Sequence, residues 1–243
     1  MTYCVGMMLD RGLVFMSDTR TNAGLDNVST FRKMHVWETP GDRVITLMSA
    51  GNLATTQAVV SLLDERTKAP DDRAPSLHAA PSMFQAARLV AEILREVIES
   101  HAESGQQADS AFNATLILGG QIVGGPPRLF LIYPEGNFIE ASADTPFFQI
   151  GEMKYGRPIL VRAFDPTMSF EDAMKLLLVS FDSTLKANLT VGAPFDYHLY
   201  EEGSLVRGAM GRIEQDDPYF TLVSKGWGDA LKTALDSLPP YDG

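Results

Sequence analysis

Apolar residues recur along this chain in two rhythms, and the change from one to the other divides it into segments. Residues 3–9 and 13–17 are short apolar runs on either side of Asp10-Arg11-Gly12, so they predict a β-hairpin closed by a tight turn. A polar stretch over 19–30 follows, rich in glycine, asparagine and serine. Residues 33–38 then predict a third strand, and 43–49, after Pro40-Gly41, a fourth. At Ala50-Gly51-Asn52 the rhythm changes. Leu53, Ala54, Ala58, Leu62 and Leu63 recur at helical spacing and predict an amphipathic helix from 53 to about 68. A second helix is predicted from about 82 to 99. The proline-rich, charged segment TKAPDDRAPSLHAAPS between the helices reads as a loop and not as a domain boundary, because neither half alone carries a complete core.

The β rhythm then returns. Residues 115–119, 128–134 and 137–141 predict strands separated by Gly-Gly-Pro-Pro and Pro-Glu-Gly-Asn turns. A third helix is predicted over about 170–186, where Ser169 supplies an N-cap and Glu171-Asp172 place acid near the positive helix end. Residues 195–200 predict another strand, and the tail from 212 a polar last strand and a short helix around 229–238. This order fits two stacked sheets covered by helices on both outer faces, within one domain spanning 1–243.

Composition narrows the functional classes. With 243 residues, 45% of them apolar, a large buried core is available. The net charge of −11 and the lack of any lysine and arginine run argue against partners recognised through a basic footprint, nucleic acid and anionic membranes among them. No charged leader precedes an apolar segment and no apolar run reaches membrane-spanning length, so a cytoplasmic protein is expected. Cys4 is the single cysteine and reads as a small core residue, while His35, His78, His101 and His198 show no ligand spacing. Neither a metal nor a cofactor is expected.

The candidate chemistry begins at Thr2, directly behind Met1. A hydroxyl is a poor nucleophile unless a base takes its proton during attack. An N-terminal threonine brings its own base: once methionine aminopeptidase removes Met1, the α-amine titrates at about 7.7–8.0, suited to general-base work. A cation beside it favours the deprotonated amine and a more acidic hydroxyl, and Lys33, at the head of the third strand, is the candidate. The carboxylate of Asp18, where the second strand ends, can orient and compensate that lysine. The backbone N–H of Gly51, at a strand-to-helix transition, suits an oxyanion hole.

Together, Thr2, the first hairpin, Asp18-Thr19-Arg20, Lys33 and Ser49-Ala50-Gly51-Asn52 resemble the active-site skeleton of proteasome β-type subunits, members of the N-terminal nucleophile hydrolases. SDTRTNAG, IGEMKYGRP and NLTVGAPFD are similar, more narrowly, to the bacterial Anbu (ancestral beta subunit) family. The resemblance spans nearly the whole chain. It implies an α+β fold, a four-layer αββα sandwich, and a peptidase of peptide or protein substrates that assembles into a homo-oligomeric ring or open spiral. Thr2, Asp18, Lys33 and Gly51 fall on the family's catalytic positions, and Arg20 on its arginine. The family's Gly-Ser-Gly is replaced by Gly151-Glu152-Met153, which puts Glu152 where a serine assists the amine. Its Asp-x-x-Ser-Gly aligns with Asn188 to Gly192, unless Asp182-Ser183 supply the acid and serine. The resemblance implies that no propeptide precedes Thr2 and that removal of Met1 alone frees the amine. Two other readings stay open: amide transfer by the same nucleophile, and a non-catalytic assembly with a vestigial site. No ATPase-docking motif is evident.

Overall fold

The computed structural model describes residues 1–22, 28–68, 75–103 and 112–241. Strands β1 (Tyr3–Leu9) and β2 (Gly12–Asp18) form the N-terminal hairpin, with Leu9 opposite Gly12. Both are buried on both faces, which is why their sequences are continuously apolar and do not alternate. The short ribbon of β3 (Arg20–Asn22) and β4 (Val28–Thr30) continues from β2 within the polar stretch, where no apolar alternation announces it.

Two five-stranded sheets make the centre. One contains β5 (Met34–Thr39), β6 (Arg43–Gly51), β7 (Ala114–Ile122), β8 (Arg128–Ile132) and β9 (Phe138–Glu140) in chain order. The other sets β1 and β2 between β10 (Phe147–Gly151) on one side and β11 (Phe195–Glu201) with β12 (Ala209–Ile213) on the other. Helices α1 (Leu53–Lys68) and α2 (Met83–Glu103) pack on the first sheet, where Ile45, Leu47 and Leu118 meet Val90 and Leu94. Helices α3 (Arg157–Ala163), α4 (Phe170–Ala187) and α5 (Pro218–Asp236) pack on the second, where Val14 and Met16 meet Leu177 and Phe181. The alternate residues of β2, Leu13 and Phe15, point the other way and meet Met48, Ile117 and Leu129 between the sheets. Three apolar layers separate four layers of structure, the expected αββα sandwich of the α+β class.

Several expectations change. β5 starts at Met34, so Lys33 precedes the strand and does not head it, and β5 lies in the sheet opposite β1. Lys33 therefore approaches the N-terminus across the space between the sheets. β10 and α3 were not expected: Pro158 and Gly156 read as loop residues, yet proline fits the first helical turn and Gly156 is the N-cap. α5 has 19 residues in place of a short helix. Gly226 and Gly228 interrupt its pattern, and Asp217 caps it by accepting the Phe220 N–H. Parts of the 19–30 stretch and of the proline-rich loop lie outside the described residues. Among the described residues no helix is long and apolar enough to cross a membrane.

Candidate active site

The site is built where the two sheets open at one end. Asp18, the last residue of β2, is fully buried. Its Oδ1 accepts from the Tyr3 N–H at 2.9 Å and from Lys33 Nζ at 2.7 Å, and Nζ also donates to the Arg20 carbonyl at 2.6 Å. Burial pushes this carboxyl above its ordinary range, opposed by the Lys33 ammonium and its hydrogen bond, then by the Tyr3 and Gly192 amides. The Lys33 carbonyl accepts the Ser49 N–H at 3.1 Å, which fixes the approach to β5 against β6.

Thr2 is held through its backbone. Its carbonyl accepts the Glu152 N–H at 2.7 Å. This close approach requires Gly151, with φ of +84°, because a Cβ there would lie 1.9 Å from the Thr2 oxygen. The Glu152 side chain is also buried, and its Oε2 accepts from Asn188 Nδ2 at 2.9 Å. Asn188 is the C-cap of α4, and its Oδ1 takes the Thr190 N–H at 3.0 Å and hydroxyl at 2.6 Å. The α-amine of Met1 feels the same groups. Burial and then Lys33 draw it below 8.0, while Asp18 and Glu152 oppose that shift.

Gly51 closes the arrangement. Successive N–H groups of a strand point to opposite edges. Ser49 donates to Lys33 on the β5 side and Asn52 to Asn113 on the β7 side, so alternation turns the Gly51 N–H toward β5, just past the point where that strand begins. Its φ of +120° and the Asn113 carbonyl, 2.4 Å from any Cβ, leave room only for glycine. Asn52 caps α1 by accepting the Thr55 N–H at 3.1 Å, which brings a positive helix end to the same rim.

A cleft of about 630 Å³ runs over these groups, lined by Met1, Thr2, Lys33, Gly51 and Gly151, with Phe31, Leu53 and Val60 as apolar wall. Thr2, Lys33 and Gly51 thus share one opening, with Asp18 beneath Lys33 and the Glu152–Asn188 pair behind Thr2. Arg20 contributes only its carbonyl. Its guanidinium turns away to donate to the Leu189 carbonyl at 2.9 Å and packs against Gly192. Asp182 is bonded to Lys186 and Ser183 to the Val179 carbonyl, both on α4, so neither replaces Asn188 in the site. Among the described residues no cluster of metal-ligating side chains is gathered.

Sequence reasoning missed the support under Thr2. The Tyr3 hydroxyl lies within 2.7 Å of Ser180 Oγ, accepts from Gln149 Nε2 at 2.7 Å, and is pushed up to about 12 by burial. It ties β1, β10 and α4 together immediately behind the N-terminal residue. The signals were a tyrosine in an apolar strand, whose hydroxyl must find a partner, and Gln149 in the apolar run FFQIG.

Comparison with known proteins follows this geometry. The family model described as "Proteasome subunit" matches residues 2–193. Anbu from Yersinia bercovieri is 48% identical, with 100% of both chains covered and a TM-score of 0.93. Anbu from Hyphomicrobium sp. strain MC1 is 50% identical over 100% of both chains, with a TM-score of 0.90. A helical assembly of the Anbu complex from Pseudomonas aeruginosa is 45% identical, covering 100% of this chain and 99% of that one, with a TM-score of 0.93. No curated protein matches the chain.

Proposed function

The chain belongs to the proteasome-subunit family and, within it, to the Anbu or ancestral-beta-subunit proteins, and on that premise we propose that it is an N-terminal threonine hydrolase of peptide amide bonds. The observation that carries this reading is the Lys33 ammonium, pinned by Asp18 and the Arg20 carbonyl, in the same cleft as Thr2 and Gly51.

In the proposed cycle, loss of Met1 makes the Thr2 nitrogen a free amine. That amine takes the proton from the Thr2 hydroxyl as Oγ1 attacks the substrate carbonyl carbon. The oxyanion is received by the Gly51 N–H. The C–N bond then breaks as the amine returns its proton to the leaving nitrogen, and water hydrolyses the resulting ester by the same route. Lys33 favours the neutral amine and the developing alkoxide, and Asp18 holds Lys33 in place. Glu152, braced by Asn188, stabilises the ammonium form that appears when the amine carries the proton. Arg20 shapes the 188–192 loop. Glu152 is thus a positioning group for the proton that the family's serine would otherwise assist.

The test is the intact mass of the purified protein before and after a peptide epoxyketone, whose ring-forming adduct needs both a hydroxyl and a free α-amine. Loss of Met1 and one adduct, absent in Thr2→Ala, is expected. A Thr2 that is free yet never reacts overturns the reading. The likeness to a chain solved as a helical assembly supports a homo-oligomer, and a monomeric sedimentation coefficient for the same sample argues against it.

A further inference from the structure

The bond that must be cut to free the Thr2 amine joins it to Met1, and the fold encloses that bond. Met1 is 56% exposed and lines the cleft beside Lys33 and Gly51, Thr2 is half-buried, and Tyr3 is fully buried. Within three residues the chain passes from solvent into the core. Tyr3 opens the central strand β1 opposite Gly151 of β10, and Cys4 already faces Ser17 of β2 on the other side. The Tyr3 ring lies 4.5 Å from that of Phe181, and its hydroxyl is bonded to Ser180 and Gln149.

A peptidase grips the first residues of an extended substrate through main-chain hydrogen bonds and brings its own reacting groups against the bond. Here the main-chain groups it needs are spent: the Thr2 carbonyl on the Glu152 N–H, and the Tyr3 N–H on Asp18 Oδ1. A cleft of about 630 Å³ admits a peptide but not the walls of a second enzyme's active site. To present Thr2 and Tyr3, the head of β1 has to leave the sheet and take the Tyr3 ring out of the core.

We propose that Met1 is removable only before β1 docks, and that a subunit which folds first is locked in an unreactive form. In the hydrolysis, water adds to the Met1 carbonyl carbon, the C–N bond breaks and the Thr2 nitrogen takes the proton, so methionine leaves and a free amine remains. Until then the nitrogen belongs to an amide, whose lone pair is delocalised into the carbonyl and takes no proton from the Thr2 hydroxyl. Folding thus sets a deadline for maturation. That the locked form is unreactive rests on reading Thr2 as the nucleophile, whereas the order of the two events rests on the geometry alone.

The experiment follows intact mass. Full-length protein that retains Met1 is purified from cells grown with a methionine aminopeptidase inhibitor, then incubated, folded, with and without purified methionine aminopeptidase. A synthetic peptide of residues 1–8 is the unfolded reference. The peptide is expected to lose its methionine, and the folded protein to lose Met1 at least about a hundredfold more slowly, because only the rare frayed state is open to cleavage. A smaller difference, or loss of Met1 from the folded protein without peptidase, overturns the proposal. So does a resistant peptide, since the resistance would then lie in the sequence and not in the fold. If Met1 is locked in as expected but protein prepared without Met1 also fails to take the epoxyketone, the order of events stands and only Thr2 as nucleophile is refuted.

Discussion

Of the polar pairs that cross between the sheets, two solve the same problem in opposite ways. At the open end Asp18 of β2 reaches Lys33, which leads into β5, and the pair is charged. In the sealed middle His198 of β11 reaches Thr46 of β6, Nδ1 to Oγ1 at 2.8 Å, and that pair is neutral. His198 is stacked on Phe15 and fully buried, and its Nε2 has no partner among the described residues. Burial, helped by the charge of Arg207, lowers its pKa to about 4. Charge is therefore kept where an opposite charge, two backbone groups and a solvent cleft support it. It is suppressed where apolar side chains close over the site.

The contrast breaks most sharply at the charged pair. Lys33→Met leaves Asp18 buried without its cation and is expected to cost about 3–5 kcal/mol and to abolish the epoxyketone adduct. Adding Asp18→Leu should restore most of the stability and none of the reactivity, as read by urea denaturation and intact mass. A double variant no more stable than the single one would show that the pair is not what couples the sheets at that end.

The next effect belongs to the neutral pair and appears on acidification. The unfolded His198 binds a proton near 6.5 and the folded one only near 4, so the unfolded state is favoured as pH falls through that window. Between pH 7.5 and 4.5 this single group should remove about 2–3 kcal/mol. His35 and His78 are lowered in the same direction, so the measurement is the difference in slope between the parent protein and His198→Gln. Parallel slopes would mean that His198 is protonated inside the fold.

The smallest change is Thr46→Val, which keeps the shape and removes the hydroxyl. A loss of about 1 kcal/mol in urea is expected, with no effect on the adduct. Because the two pairs share no partner, this loss should add to that of Lys33→Met.

Much of this contrast was legible in the sequence at one end and hidden at the other. The hairpin of β1 and β2, the passage from β6 through Gly51 into α1, and the choice of Thr2, Asp18 and Lys33 all follow from local pattern. These residues sit in or beside continuous apolar runs with clear turn residues, or match a family skeleton. What pattern did not provide was the path by which Lys33 arrives, because period-2 alternation identifies a strand but not its sheet. β10 was missed because Phe147–Gly151 is five residues long and follows directly on a bridge between Ser142 and Thr145. In the sequence His198 is one of four scattered histidines. Its role depends on Thr46, 152 positions earlier, and no local signal joins the two.

The peptide plane between Thr2, the proposed nucleophile, and Tyr3 is pinned from two sides, its carbonyl by Glu152 and its N–H by Asp18. Between that plane and the Thr2 hydroxyl only ψ and χ1 remain to turn. A nucleophile on a free chain end would have to be frozen anew at each encounter with substrate. Here most of that ordering is done once, when the chain folds, and the terminus behaves as a part of the framework with two joints left in it.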